Sequence, residues 1–150
     1  MLPYLAGHSA VQLTGVCDVR IGTLDSLPVP ASVRRWSRLE ELLSSDVDAV
    51  YVATPTHLHA AHAIAALRAG KHVVIEKPMS VTLEEADAIV AAADQTGRKV
   101  VVGHSHSFEP AIQLMRALIL SGRVGALRAL NAFNATDWMY RARLPGEFVR

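Results

Sequence analysis

The feature that most limits what this chain can fold into is an alternation. Short apolar runs recur at residues 11–16, 33–36, 49–53, 72–76 and 100–102, with helical stretches between them. Each stretch has its own punctuation. Residues 2–7 read as the tail of a helix that stops near Gly7. Ser37 with Glu40 forms a capping box for a helix through Leu43. Thr56 caps a helix to Ala69, and Gly70 terminates it in the left-handed region. Thr82 with Glu85 opens a helix to Thr96, with Gly97 as its stop and Ile89, Ala92 and Ala93 as its apolar stripe. Pro110 opens a last helix that ends near Gly122. Residues 24–30 are broken by prolines and read as loop. Strand, helix, strand in this order predicts an α/β fold, a doubly wound parallel sheet of Rossmann type.

Composition narrows the class. The chain has 150 residues, enough for one domain with a fair core. It is 51% hydrophobic and 19% charged, which suits a soluble globular protein. A net charge of +1 supplies no basic field of the kind nucleic-acid binding needs. No apolar stretch approaches the roughly 20 residues of a membrane span, and no secretory signal is visible at the start. The single Cys17 excludes an internal disulfide and reads as a small core residue. These features together point to a cytoplasmic protein.

Residues 71–80 carry the strongest chemical signal. The apolar run 73–75 ends in Glu76 and Lys77, fixed against Pro78. Ligands of open α/β sheets bind outside the carboxyl ends of the strands. A Lys there reaches a substrate hydroxyl or carbonyl, and partial burial would tune it for proton transfer. Of the three lysines, Lys71, Lys77 and Lys99, only Lys77 is at a predicted strand end that faces a crevice. Pro78 is expected to hold Lys77 through a cis bond.

Five ordered pieces extend this signal. They are Val-Ala-Thr-Pro-Thr-His-Leu-His (52–59), Leu-Arg-Ala-Gly-Lys-His-Val (67–73), Glu-Lys-Pro (76–78), Leu-Glu-Glu-Ala-Asp-Ala (83–88) and Val-Val-Gly-His (101–104). In this order and spacing the chain resembles the Gfo/Idh/MocA family of NAD(P)-dependent oxidoreductases, from about residue 10 onward. The resemblance implies that Glu76 contacts the nicotinamide ribose or carboxamide and that Lys77 binds the substrate hydroxyl being oxidised. It also puts the turn of Ala53, Thr54 and Pro55 beside the dinucleotide. Residues 104–110, 121–123 and 134–141 further resemble members of the 4,5-dihydro-4,5-dihydroxyphthalate dehydrogenase type, which raises a cyclic cis-diol beside the usual sugar or inositol.

Two departures from the family pattern stand out. No Gly-x-Gly-x-x-Gly turn, the usual cradle for a pyrophosphate, occurs in the sequence. The strand that would precede it belongs in the middle of the sheet, so the strand at residues 11–16 is expected to lack a neighbour linking it to the strand at 49–53. The family also carries a C-terminal α/β domain. The expected division is a Rossmann-like domain over 1–126 and the beginning of that second domain over 127–150, whose residues 127–133 have strand character. The chain is thus read as a fragment or mis-started product of a longer enzyme, or as a truncation completed by another chain.

The remaining candidates keep alternatives open. Asp18 ends the strand at 11–16, where an acid binds adenosine ribose hydroxyls and disfavours a 2′-phosphate; otherwise it caps a turn. Arg20 can accommodate that phosphate, so NAD is favoured over NADP without excluding it. His57 and His59 either contact the nicotinamide side or cap a turn, and His62 is a helix-face residue. His104 and His106 either line the substrate pocket or serve the surface or core. Trp138 and Tyr140 stack on a ring substrate or pack a domain junction. No His and carboxylate trio has metal spacing, so no metal is expected. The leading expectation is an NAD(P)-dependent dehydrogenase that transfers hydride from a secondary alcohol of a small-molecule substrate, with Lys77 assisting proton transfer and a homo-oligomer as the full-length form. The competing ones are a non-catalytic nucleotide-binding or assembly module and an NAD(H)-retaining sensor without turnover.

Overall fold

The structure, a computed structural model, describes residues 2–133. The chain divides into two compact units, Met1–Ser105 and His106–Arg150. In the first, the order is α1 (Leu2–Gly7), β1 (Gly15–Cys17), α2 (Ile21–Ser26), β2 (Arg34–Trp36), α3 (Leu39–Leu43), β3 (Ala49–Val52), α4 (Thr56–Arg68), β4 (His72–Ile75), α5 (Leu83–Thr96) and β5 (Val100–Val102). The second holds a 3₁₀ turn at Ser105–Phe108, which straddles the boundary, and α6 (Pro110–Leu120). Among the described residues no helix is long and apolar enough to cross a membrane.

All strand pairs are parallel, as the alternation predicts. They form two separate sheets, β1-β2 and β3-β4-β5. Val50 lies opposite Val73 and Val52 opposite Ile75; on the other side of β4, Ile75 lies opposite Val102. β1 and β3 are not joined among the described residues, in line with the expected break in the middle of the sheet. β1 pairs only where Arg34–Trp36 run beside it, so it is shorter than the apolar run 11–16 suggests.

The main core lies between β3-β4 and the helices α4 and α5. Val50, Val52, Val73 and Ile75 alternate onto one face and meet Ala60, Ala63, Ala66 and Leu67 of α4 and Ile89 and Ala92 of α5. The buried positions of α4 recur every three to four residues, which is the stripe a helix on a sheet requires. Alanines in that stripe let α5 approach α4 closely. Burial of a side chain such as Leu67 contributes about 1.5–3 kcal/mol. A smaller core of Val16, Leu24 and Val33, backed by Leu13, Leu27 and Val29, serves β1-β2. Cys17 is half-buried against the main core, and that burial pushes its thiol up from the ordinary range.

The helix signals hold unevenly. Thr82 Oγ1 accepts from Glu85 N at 3.2 Å, while Glu85 Oε2 accepts from Val81 N at 2.8 Å. This is the expected capping box, with the return bond displaced by one residue. Gly97 and Gly70 both take positive φ, 65° and 77°, as their stop roles demand. Ser37 does not cap α3, and Thr56 does not cap α4: the caps are Arg38 and Pro55, without side-chain bonds. The backbone turns into each helix one residue later, or earlier, than those hydroxyls need. A short helix, α2, was not expected; it takes in residues 24–26, read above as loop, and leaves only 27–30 to the proline-broken stretch. Residues 127–133, expected as a strand, have no regular structure, since no partner strand runs beside them among the described residues.

Candidate active site

The carboxyl ends of β3, β4 and β5 are laced together one residue beyond each ladder. Glu76 N donates to Val52 O at 2.9 Å, and Gly103 N donates to Ile75 O at 2.8 Å. This brings the turn 53–55, the turn 76–78 and Gly103 side by side, at the end of the sheet where α/β folds bind ligands. A Cβ on Gly103 would lie 3.4 Å from Ile75 O and 3.7 Å from Glu76 Oε2, so the backbone there passes close to the carboxylate.

Glu76 is held from two directions. The Tyr51 hydroxyl donates to its Oε1, and Lys77 N donates to Oε2 at 3.1 Å. Tyr51 reaches Glu76 from β3, where it occupies the face opposite to Val50 and Val52. Its hydrogen bond is the foremost reason that the Glu76 carboxyl titrates below the usual range; the Lys77 amide and the charges of Lys77 and His59 act the same way, against some burial. Burial, then the bond to Glu76, push Tyr51 up to about 12. The pair is therefore a neutral phenol donating to a carboxylate across the neutral pH range.

Lys77 follows on the same turn, and its bond to Pro78 is cis, as anticipated. It stands in solvent, so the partial burial expected for it is not seen. The reason is local: Lys77 lies beyond the end of β4 at Ile75, past the buried positions Val73 and Ile75.

His59 is the buried member of the group, 2% exposed in the first turn and a half of α4. Its Nδ1 lies 2.8 Å from Pro78 O and its Nε2 2.7 Å from Thr54 O. Thr54 also lies 3.1 Å from His62 Nδ1 through its hydroxyl. Burial lowers the pKa of His62, and the neighbouring charge of His59 adds to the effect. Ala53, Thr54, Pro55 and His57 are exposed around this turn.

Asp18 lies at the end of β1, in the other sheet. Its Oδ1 accepts from Arg20 N at 2.8 Å and Arg20 Nε at 3.2 Å, and its Oδ2 from Arg20 Nη2 at 3.1 Å. Those bonds hold the carboxyl below its ordinary range. His104, just past β5, is exposed, and its amide donates to Val102 O at 2.7 Å. His106 belongs to the second unit, where its Nδ1 is 2.5 Å from Glu109 Oε1. Trp138 and Tyr140 lie outside the described residues.

Thr54, His59, Pro78, Glu76 and Lys77 are thus one connected group, while Asp18 is separate from it. Sequence reasoning missed Tyr51 and Gly103. The signal for Tyr51 was its polar tip, alone in the apolar run 49–53; for Gly103 it was a glycine immediately after a strand. The group sets small and exposed residues at the β3 and β5 ends beside a fixed carboxylate that can accept hydrogen bonds.

Residues 1–104 match the oxidoreductase family described by an NAD-binding Rossmann fold. The chain is 50% identical over 145 residues to the 1-carboxy-3-chloro-3,4-dihydroxycyclohexa-1,5-diene dehydrogenase of Comamonas testosteroni, covering 95% of this chain and 36% of that protein. The structure is similar to that of a Bordetella bronchiseptica RB50 protein, with a TM-score of 0.86, 33% identity, and coverage of 97% of this chain and 38% of that one. It is also similar to the WlbA dehydrogenase of Bordetella pertussis in complex with NADH and UDP-GlcNAcA, with a TM-score of 0.73, 32% identity, and coverage of 82% and 38%. The chain spans little more than a third of the length of these relatives.

Proposed function

This chain belongs to the Gfo/Idh/MocA family of oxidoreductases, and on that premise we propose that it is the nucleotide-binding part of an NAD-dependent dehydrogenase that oxidises a secondary alcohol of a cyclic cis-diol. The observation that carries the reading is the turn Glu76-Lys77-Pro78, fixed at the carboxyl end of β4 against the turn of β3. The likeness to a relative named for a dihydroxycyclohexadiene favours the cyclic diol over a sugar or inositol.

Each residue has a part. Asp18 accepts from the adenosine ribose and repels a 2′-phosphate, which favours NAD over NADP. Ala53, Thr54 and Pro55 form the floor of the cofactor site, with His57 at its rim. Glu76, kept ionised by Tyr51, accepts from the nicotinamide ribose or carboxamide. When bound, the nicotinamide takes up a hydride equivalent. Lys77 hydrogen-bonds the substrate hydroxyl and, as an ammonium, stabilises the developing alkoxide; as an amine it accepts the proton. His104, just past β5, is assigned to the substrate side.

The test is NADH formation by the native protein with a cis-dihydroxycyclohexadiene carboxylate. The expected result is turnover that Lys77→Ala lowers by about a hundredfold or more, with folding unchanged. Turnover by Lys77→Ala equal to that of the native protein would sink the Lys77 role. Absence of NADH formation with cyclic diols, together with turnover of a sugar or inositol, would move the substrate class.

A further inference from the structure

We infer that His59 is a positioning residue for this reaction: donating from both ring nitrogens, it ties the turn after β3 to the turn after β4, and so fixes Lys77 relative to the floor of the cofactor site. The inference rests on the dehydrogenase reading for its consequence but on geometry for its substance.

Both partners of the ring are backbone carbonyl oxygens, Pro78 O at 2.8 Å from Nδ1 and Thr54 O at 2.7 Å from Nε2. A carbonyl oxygen only accepts, and a neutral imidazole has only one N–H. A neutral ring would set a lone pair against one of the two oxygens at hydrogen-bonding distance. Only the doubly protonated ring satisfies both. Burial opposes a charge there, since His59 is 2% exposed. The two carbonyl bonds become charge-assisted, which strengthens them, and the anionic Glu76 at the end of β4 lies within electrostatic reach. His62, on the same helix, is the other titratable group that feels the His59 charge.

The two tied carbonyls are not incidental. Thr54 lies between Ala53 and Pro55 in the turn assigned to the cofactor, and Pro78 is bonded directly to Lys77. Backbone ladder bonds end at Glu76 N and Gly103 N, and beyond them the His59 ring links the β3 and β4 turns, beside the Tyr51 bond to Glu76. An imidazolium serves this purpose where an amide or hydroxyl does not, because it donates in two opposed directions from one rigid plane.

The experiment labels the histidine rings with nitrogen-15 and records long-range proton–nitrogen spectra of the chain near neutral pH. The His59 signals are assigned in the wild-type chain through correlations of the ring with its own Cβ and backbone. Two protonated ring nitrogens in slow exchange with water are expected, and a single protonated nitrogen would overturn the bridge. NADH titration then tests its consequence. His59→Gln carries its donors on a single nitrogen in place of two, and is expected to bind NADH about tenfold more weakly, with shifted Lys77 and Thr54 amide signals. A folded His59→Gln chain with unchanged affinity and unchanged amide signals would overturn the positioning role. If that variant does not fold, the wild-type ring signals decide, since saturation with NADH that leaves them unmoved would count against it. A wild-type chain that binds no NADH would count against cofactor binding by this chain, while the ring spectrum would still decide the bridge.

Discussion

The two sheets of the first unit solve the same problem with unequal means. The β3-β4-β5 sheet is covered by two long helices and buries eleven residues in one core; the β1-β2 sheet buries three and leans on half-buried neighbours. Where apolar contacts are few, a side chain substitutes for them: Arg35 donates to the carbonyls of Leu24 and Val33 at 3.2 and 3.3 Å, gathering the small core from outside. The difference teaches where rigid chemistry can be placed. The connected group around Glu76 and His59 grows from the large core, while Asp18 is held on the small one by an exposed arginine.

The comparison breaks first at the core. Ile75→Ala removes a fully buried side chain from the large core and is expected to cost about 2–5 kcal/mol. Val33→Ala in the small core loses two carbons, about 1.5 kcal/mol at roughly 0.8 kcal/mol each. Urea midpoints of the two variants check the ranking, and equal costs would mean that the sheets share one core. Next comes Gly15→Ala, whose new Cβ would fall 2.0 Å from Trp36 Cζ3. The ring must move, at about 1–3 kcal/mol, and a shifted tryptophan emission together with a lower melting temperature should report it.

Tyr51→Phe sharpens the contrast from the other side. A phenol raised in the folded state from 10 to about 12 stabilises the fold below pH 10, and that contribution is lost as pH rises from 10 to about 12. The wild-type advantage over Tyr51→Phe, about 1 kcal/mol near neutrality, should therefore vanish across that window. Glu76, titrating low, loses its share instead as pH falls through its depressed value. Persistence of the advantage above pH 12 would mean that the hydroxyl does not serve Glu76. The smallest structural effect is expected for Asp18→Asn, whose ion pair is exposed: no measurable change in urea midpoint, but a reduced preference for NAD over NADP in cofactor titrations.

Legibility follows the range of the interactions. Thr82 with Glu85, Gly70, Gly97 and the runs 49–53, 72–76 and 100–102 are decided within a few residues, and a reader of sequence finds them. So is the Lys77-Pro78 turn. The caps of α3 and α4 failed because several residues compete to start a helix and packing chooses among them. The bond from Tyr51 to Glu76 spans 25 residues and that from His59 to Pro78 spans 19. Nothing local marks such pairs; they exist because register sets Val52 opposite Ile75. The residues of the site were legible as types, and their wiring was not.

β4 has a paired neighbour on each side, and its own ladder continues to Glu76. Opening that strand requires two rows of hydrogen bonds to part together, so its amides should be among the slowest in the unit to exchange with solvent. Lys77 is then fastened to one of the slower clocks in the unit while its exposed side chain runs on a fast one, picoseconds to nanoseconds. Under the proposed role, the search for a substrate hydroxyl would be made by four methylenes swinging from a fixed post, and binding would arrest that swing.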